Sequence, residues 1–241
     1  MDSYIYTHVG SRSVNEDSAD LVMTTPDKGC FVVCDGLGGH GKGEVASAHV
    51  VNTIIESVKG IDISSDGILE NSIQYAQDTL LQAQADINAQ DEMKTTVVAL
   101  RIFDSKAQWA HIGDTRLYLF RNKDVFTRTL DHSVPQMLVA SGEIKEKDIR
   151  HHEDRNRLIR VMGSPWNTPK YEVSEVISVE PGDAFLLCSD GFWELITERK
   201  MLKCLKKSSS CEEWLNRMGE IVLKNGKGKS MDNNTAIGVI I

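Results

Sequence analysis

Two apolar runs in this chain each end on an aspartate followed by glycine. Cys30-Phe31-Val32-Val33-Cys34 leads into Asp35-Gly36, and Phe185-Leu186-Leu187-Cys188-Ser189 leads into Asp190-Gly191. A short, unbroken apolar run reads as a strand covered on both faces, so such a chain must stack layers on either side of its sheets. Both runs then deliver a carboxylate at the rim of a core. Three more recur beside apolar segments: Asp17 after Asn15-Glu16, Asp114 after Ala110-His111-Ile112-Gly113, and Asp232 before Asn233-Asn234 and the last apolar run. Taken singly, each also reads as a turn residue or a helix N-cap. Taken together they would repel one another, and oxygen-seeking divalent cations such as Mg²⁺ or Mn²⁺ relieve that repulsion. No His/Cys spacing suited to zinc is present.

Hairpin-like spacing fills most of the remaining chain. Strands are expected over 3–8, 20–25, 30–34, 95–103, 107–111, 117–121, 125–129, 173–179, 184–188 and 235–241. Turns at Pro26-Asp27-Lys28-Gly29, Asp104-Ser105-Lys106, Asn122-Lys123-Asp124 and Pro181-Gly182-Asp183 favour antiparallel pairing. Residues 44–58 carry Val45, Ala48, Val51, Ile54, Ile55 and Val58 at helical spacing. Further helices are expected over 69–87, 132–141, 198–206 and 212–223. Helices gathered in groups among hairpins indicate an α+β fold of packed antiparallel sheets with helices outside. No repeat or long linker divides the 241 residues, so 1–241 is expected to be one domain.

Charge narrows the function. Lys and Arg number 27 against 35 Asp and Glu, a net charge of −8, which suits a cation-holding protein and not a nucleic-acid binder. No apolar run is long enough to span a bilayer and the N-terminus lacks a signal-peptide pattern, so no membrane association is expected. Five cysteines, an odd number without a CxxC pair, read as buried thiols in a reducing, cytoplasmic setting.

The glycine-rich stretch Gly36-Leu37-Gly38-Gly39-His40-Gly41 formally fits a dinucleotide fingerprint. Asp35 would stand beside the pyrophosphate and repel it, and the strand needed after the helix is missing. The same stretch fails as a phosphate loop, because Gly43 stands where a Ser or Thr must bind Mg²⁺.

Seven ordered motifs carry a resemblance. They are Arg12-Ser13-Val14-Asn15-Glu16-Asp17, Cys34-Asp35-Gly36-Leu37-Gly38-Gly39-His40, Thr95-Thr96, Gly113-Asp114-Thr115-Arg116, Asp131-His132-Ser133, Cys188-Ser189-Asp190-Gly191-Phe192-Trp193-Glu194 and Asp232-Asn233-Asn234-Thr235. In this order they resemble the protein phosphatase 2C family, the metal-dependent serine/threonine phosphatases, in its bacterial form. The resemblance implies a four-layer α/β/β/α sandwich, two antiparallel sheets flanked by helix pairs, with two Mn²⁺ or Mg²⁺ ions at one end. It implies that Asp35 bridges both ions and that Gly36 offers its carbonyl. Asp190 and Asp232 would hold the first ion, Glu16 and Asp17 would serve the second, and Asp114 would hold a weaker third. Arg12 would grip the substrate phosphate, and Asn233 would support Asp232. Residues 133–171 correspond to the family's flap beside the cleft, and its charged stretch 142–157 is either a solvated surface or a substrate-selecting one.

Two cations about 3.5–4 Å apart lower the pKa of a bridging water and clamp phosphoryl oxygens, while a guanidinium fork fixes phosphate geometry. No cysteine nucleophile is needed. Leu37 stands where some members carry a candidate general-acid histidine. His40, three residues on, is a candidate for that role or a supporting, loop-packing residue, with metal-bound water as the alternative proton source. His111, His132 and Trp193 read as structural. The expected activity is hydrolysis of phosphoserine and phosphothreonine in proteins, with a serine/threonine kinase as natural counterpart. The alternatives are a non-catalytic interaction module on the same fold, which loss of the carboxylates would mark, and a metal-dependent phosphodiesterase, which the acidic charge disfavours.

Overall fold

A computed structural model describes residues 1–37 and 41–241. In chain order the elements are β1 (Asp2–His8), β2 (Asp17–Thr25), β3 (Lys28–Asp35), α1 (Gly43–Val58), α2 (Ile68–Asp86), β4 (Val97–Phe103), β5 (Lys106–Ile112), β6 (Arg116–Arg121), β7 (Asp124–Arg128), α3 (Val134–Ala140), β8 (Glu172–Val173), β9 (Ile177–Ser178), β10 (Ala184–Cys188), α4 (Asp190–Trp193), α5 (Glu198–Leu205), α6 (Cys211–Gly226) and β11 (Asn234–Ile240). A 3-10 turn covers Glu146–His151.

The strands form two antiparallel sheets, ordered β1-β11-β10-β6-β7 and β2-β3-β4-β5-β8, with β9 also against β5. Side-chain alternation along each strand builds three apolar layers. Phe31 and Val33 of β3, Val98 and Leu100 of β4, Phe185 and Leu187 of β10, and Ile237 and Val239 of β11 meet between the sheets. The opposite phase of β3 and β4 (Cys30, Val32, Cys34, Val97, Ala99) packs under α1 and α2. Leu186, Cys188 and Ala236 pack under α5 and α6 with Trp214 and Leu215. The four-layer α/β/β/α expectation holds. Among the described residues no helix is long and apolar enough to cross a membrane.

Several boundaries differ for physical reasons. β2 begins at Asp17, not Asp20, because Asp17 pairs in register with Asp35. The buried face of α1 is Ala46, Val50, Val51, Ile54, Ile55 and Val58, while Val45 points to solvent. The expected strand over 173–179 is two bridges on one edge, β8 and β9. The hairpin turns carry left-handed residues, Asp104 and Ser105 in one and Asn122 and Lys123 in the other, the conformation tight two-residue hairpins demand. All five cysteines are buried and unpaired, and burial pushes the Cys30 thiol up to about 12.

Candidate metal centre

Because the strands are antiparallel, the C-terminal ends of β3 and β10 lie at the same end of the sandwich as the N-terminal ends of β2, β6 and β11. This end gathers the aspartates. Arg12, Glu16, Asp35, Gly36, Leu37, Asp114, Asn156, Leu158, Asp190, Asp232 and Asn233 line one cavity of about 370 Å³. Every expected metal-ligating residue except Asp17 lines it. Asp17 stands behind, opposite Asp35 across the β2–β3 ladder.

That pair is the most informative contact in the molecule. Like charges directly opposite on one sheet face are destabilising, and here Asp17 is buried as well. Ser189 Oγ donates to Asp17 Oδ2 at 2.8 Å, whereas Oδ1 is buried with no hydrogen-bond partner among the described residues. Burial, and then the neighbouring charges of Asp190 and Asp232, push Asp17 up to about 7 despite the Ser189 and Thr235 hydroxyls. Burial and the Asp232 charge lift Asp190 to about 6, with its carboxyl within hydrogen-bond reach of Asp35. Asp35 and Asp114 are raised well above the carboxylate range, by burial first and then by Asp190. Burial and mutual repulsion together raise the proton affinity of this cluster. An unpartnered buried oxygen among facing carboxylates fits hard divalent cations with oxygen ligands, and Asp17, Asp35, Asp190 and Asp232, with Glu16 and Asp114 at its margins, are the groups that would hold them.

The backbone around these groups is tightly specified. Asp35 N–H donates to Thr96 Oγ1 at 3.0 Å and Thr95 Oγ1 donates to the Asp35 carbonyl at 2.8 Å. Gly36 lies so close to α1 that a Cβ would come 2.2 Å from the Gly43 carbonyl oxygen, and a Cβ on Gly191 would come 2.1 Å from that of Asn233. These approaches explain why Asp-Gly, and not Asp-X, ends both runs. Thr95-Thr96 and Ser189 thus carry positioning roles that the sequence reading left unassigned, although all three stand inside the quoted motifs.

Asn233 reaches Asp232 through its backbone, while its side chain holds the preceding loop. Its side chain accepts from Glu16 N–H at 2.8 Å and donates to the carbonyls of Val9 and Val14 at 2.8 and 3.0 Å. It therefore shapes the loop bearing Arg12 and Glu16, and only its backbone N–H reaches Asp232, at 2.8 Å. Arg12 reaches Asp232 Oδ2 at 2.6 Å, so the expected phosphate-gripping side chain rests on an expected metal ligand. His40 lies outside the described residues.

Trp193 donates its indole N–H to the Asp114 carbonyl at 3.0 Å and stacks under the Arg116 guanidinium at 3.4 Å, while Arg116 forks onto Asp131 at 2.8 and 2.6 Å. Asp114 is thereby fixed from beneath. The His111 and His132 rings stack, 4.8 Å between centroids. His132 Nδ1 accepts from Gly113 N–H at 3.2 Å, and Arg160 stands 3.2 Å from Glu172 beside them. Asn156 and Leu158, from the segment 133–171 expected beside the cleft, also line the cavity, though neither was singled out as a residue. They belong to a charged segment pinned to the rest of the molecule by Arg150–Glu198 and by Arg155–Glu194 at 3.1 Å.

The profile of protein phosphatase 2C matches residues 6–227 of this chain. The chain belongs to the protein phosphatase 2C family. The serine/threonine phosphatase Stp of Listeria monocytogenes is 31% identical over 211 residues, covering 84% of this chain and 81% of that one. The crystal structure of serine/threonine phosphatase Stp1 from Staphylococcus aureus matches with a TM-score of 0.89 at 26% identity, over 100% of this chain and 95% of that one. The catalytic domain of the phosphatase PstP in complex with two manganese ions shares the fold, with a TM-score of 0.83 at 24% identity over 98% and 96% of the two chains. As a member of its family the chain is a metal-dependent phosphoprotein phosphatase.

Proposed function

We propose that this phosphatase hydrolyses phosphoserine and phosphothreonine at the carboxylate-lined cavity. Its ion set would be two Mn²⁺ or Mg²⁺ per chain, held by Asp17, Asp35, Asp190 and Asp232 with Glu16 and the Gly36 carbonyl, and a third, weaker ion at Asp114. The observation that carries the assignment is the buried Asp17–Asp35 pair with its unpartnered oxygen. When bound, the cations supply an activated water and charge stabilisation for in-line attack.

The chain's own residues do the rest. Asp35 presents its carboxylate at the junction of the two sheets. Arg12 leaves Asp232 to fork onto the phosphate, where a bidentate guanidinium fixes orientation. Leu37 and Leu158 line the same cavity beside its polar groups. The catalytic unit is the whole span 1–241, with 133–171 as its flap, and its counterpart is a serine/threonine kinase whose products it reverses. Five unpaired buried thiols support a reducing, cytoplasmic location.

The test is a matrix of phosphoSer, phosphoThr and phosphoTyr peptides against Mn²⁺, Mg²⁺, Zn²⁺ and chelator. Turnover of the first two peptides with Mn²⁺ or Mg²⁺, abolished by chelator while circular dichroism is unchanged, is expected. Asp190→Asn keeps the shape, removes a charge, and should lose more than about 100-fold in kcat/KM, because the cation supplies both nucleophile and charge stabilisation. Full turnover by either the chelated protein or Asp190→Asn would overturn the assignment.

A further inference from the structure

A second cavity, of about 620 Å³, adjoins the carboxylate-lined one and shares Leu37, Asn156 and Leu158 with it. Its charge is the reverse. Lys94, Arg157, Arg160 and Lys170 line it together with Trp166, and no carboxylate does, in a chain with 35 acidic residues against 27 basic ones. The partners of these cations stand outside the lining: Asp91 is 3.9 Å from Lys94, Asp154 is 3.2 Å from Arg157, and Glu172 is 3.2 Å from Arg160. Among the described residues Lys170 has no ion pair. Solvent-exposed pairs of this kind are weak and readily exchanged, so an arriving anion can replace Asp91 or Asp154.

The groove is also built, not loose. Met162 N–H donates to the Thr95 carbonyl at 2.8 Å, and Thr95 in turn bridges to Gly36, so one wall is laced to the strand end that bears Asp35. Gly163 N–H donates to the Gln77 side chain at 2.8 Å, and Trp166 Nε1 to that of Gln74 at 3.3 Å, which ties the far end to α2. A phosphorylated residue seated over the aspartates must send its own chain away across the surface, and Leu37, Asn156 and Leu158 make this groove a continuous way out.

We propose that the groove is a flank subsite that selects phosphoprotein segments bearing anionic side chains beside the residue being dephosphorylated. It rests on the phosphatase reading above and goes beyond it by naming the substrate class. Carboxylates or a second phosphate would be held by Lys94, Arg157, Arg160 and Lys170, and the aliphatic part of the segment would lie on Trp166. Opposite charge in adjoining cavities sets register: the acidic one admits a phosphate only with its cations, and the basic one attracts the flanks.

The test uses the Mn²⁺-loaded protein and one phosphothreonine peptide in three versions, with Asp, phosphoserine or Lys at each of about three positions on either side, a reach set by the extended span per residue. At low salt, kcat/KM for the Asp and phosphoserine versions should exceed that for the Lys version by about 10-fold, and the gap should narrow near 0.5 M salt, as expected for solvent-exposed charges. Asp and phosphoserine acting equally would make carboxylates sufficient, whereas a gain confined to phosphoserine would make a second phosphate the ligand.

The double variant Lys94→Glu, Lys170→Glu should abolish the preference while p-nitrophenyl phosphate, which has no flanks, stays within about 2-fold by the same charge argument. Lys170→Glu alone, on an exposed side chain, is the second variant should the double one fail to fold. Equal kcat/KM for anionic and Lys flanks in the unaltered protein, or an equal loss for every peptide in the variant, would overturn the proposal. Fluorescence anisotropy of the same labelled peptides separates the two readings. If nothing is turned over but anionic flanks still bind more tightly, the phosphatase assignment fails and the groove stands. If turnover is normal and binding ignores the flanks, the groove falls alone.

Discussion

At the level of single residues, the site is a set of buried carboxylates whose mutual repulsion is relieved only in part by cations such as Arg12, which rests on Asp232. Asp17 shows it best, because among the described residues its buried Oδ1 has no hydrogen-bond partner. Asp17→Asn keeps an acceptor for Ser189 and removes the like-charge opposition to Asp35. The metal-free protein should melt about 2–4 °C higher, the shift expected for about 1 kcal/mol in a chain of this size, while Mn²⁺-dependent turnover falls. A lower melting temperature in chelator would show that the pair is not in conflict. Arg12→Lys retains a positive charge near Asp232 but loses the fork, so KM for phosphopeptides should rise more than kcat falls. An unchanged KM on both a peptide and an aryl phosphate would remove Arg12 from the phosphate subsite.

At the level of elements, the turns decide where the aspartates can stand. Gly191 sits against the Asn233 carbonyl at a distance no Cβ tolerates, so Gly191→Ala should push α4 away from the start of β11. Stability and Mn²⁺ affinity should fall together, by about 2 kcal/mol or more in stability, the scale of overpacking. Lys123 lies in the left-handed region in the β6–β7 turn, far from the cavity. Lys123→Gly should stabilise by up to about 1 kcal/mol, the steric cost of that conformation for an L-residue, with kcat/KM untouched. A Lys123→Gly protein that melts lower would contradict the turn geometry.

These turns also show what the sequence made legible. Asp104-Ser105 and Asn122-Lys123 were readable because tight hairpins accept few residue types. The Asp-Gly ends were readable because charge beside an unbroken apolar run is costly without a purpose. Asn156 and Leu158 were legible only as part of the segment 133–171, not as residues, since the course of that polar stretch is set by distant ion pairs such as Arg150–Glu198. Nor was the partition of 172–178 into β8 and β9, which depends on how much of the β5 edge stays open. The contacts of the Asn233 side chain with Val9 and Val14 were not legible either, because those partners are more than two hundred positions away along the chain.

At the level of the whole molecule, the carboxylates join the two sheets: Asp17 and Asp35 come from strands of one, and Asp190 and Asp232 from the segments that follow β10 and precede β11 in the other. Their proton affinities give a sign. Asp17 at about 7 and Asp190 at about 6 lie above an unfolded value of about 3.9, so the folded, metal-free protein binds more protons than the unfolded chain. Its stability from these groups is full below that unfolded value and is lost as pH rises through about 6 to 7. Mn²⁺ competes with those protons. The rise in melting temperature on adding Mn²⁺ should therefore be larger at pH 8 than at pH 5.5 by differential scanning calorimetry, and a rise independent of pH would sink the linkage. The antiparallel order has one more outcome. β1 begins, and β11 ends, at the pole of the sandwich away from the aspartates, where Asp2 pairs with Ile240. A strand of this length spans about 20 Å. A reporter domain or surface tether attached at either end would thus hang from the back of the enzyme, leaving the mouth of the cleft facing outward and free to meet bulky clients.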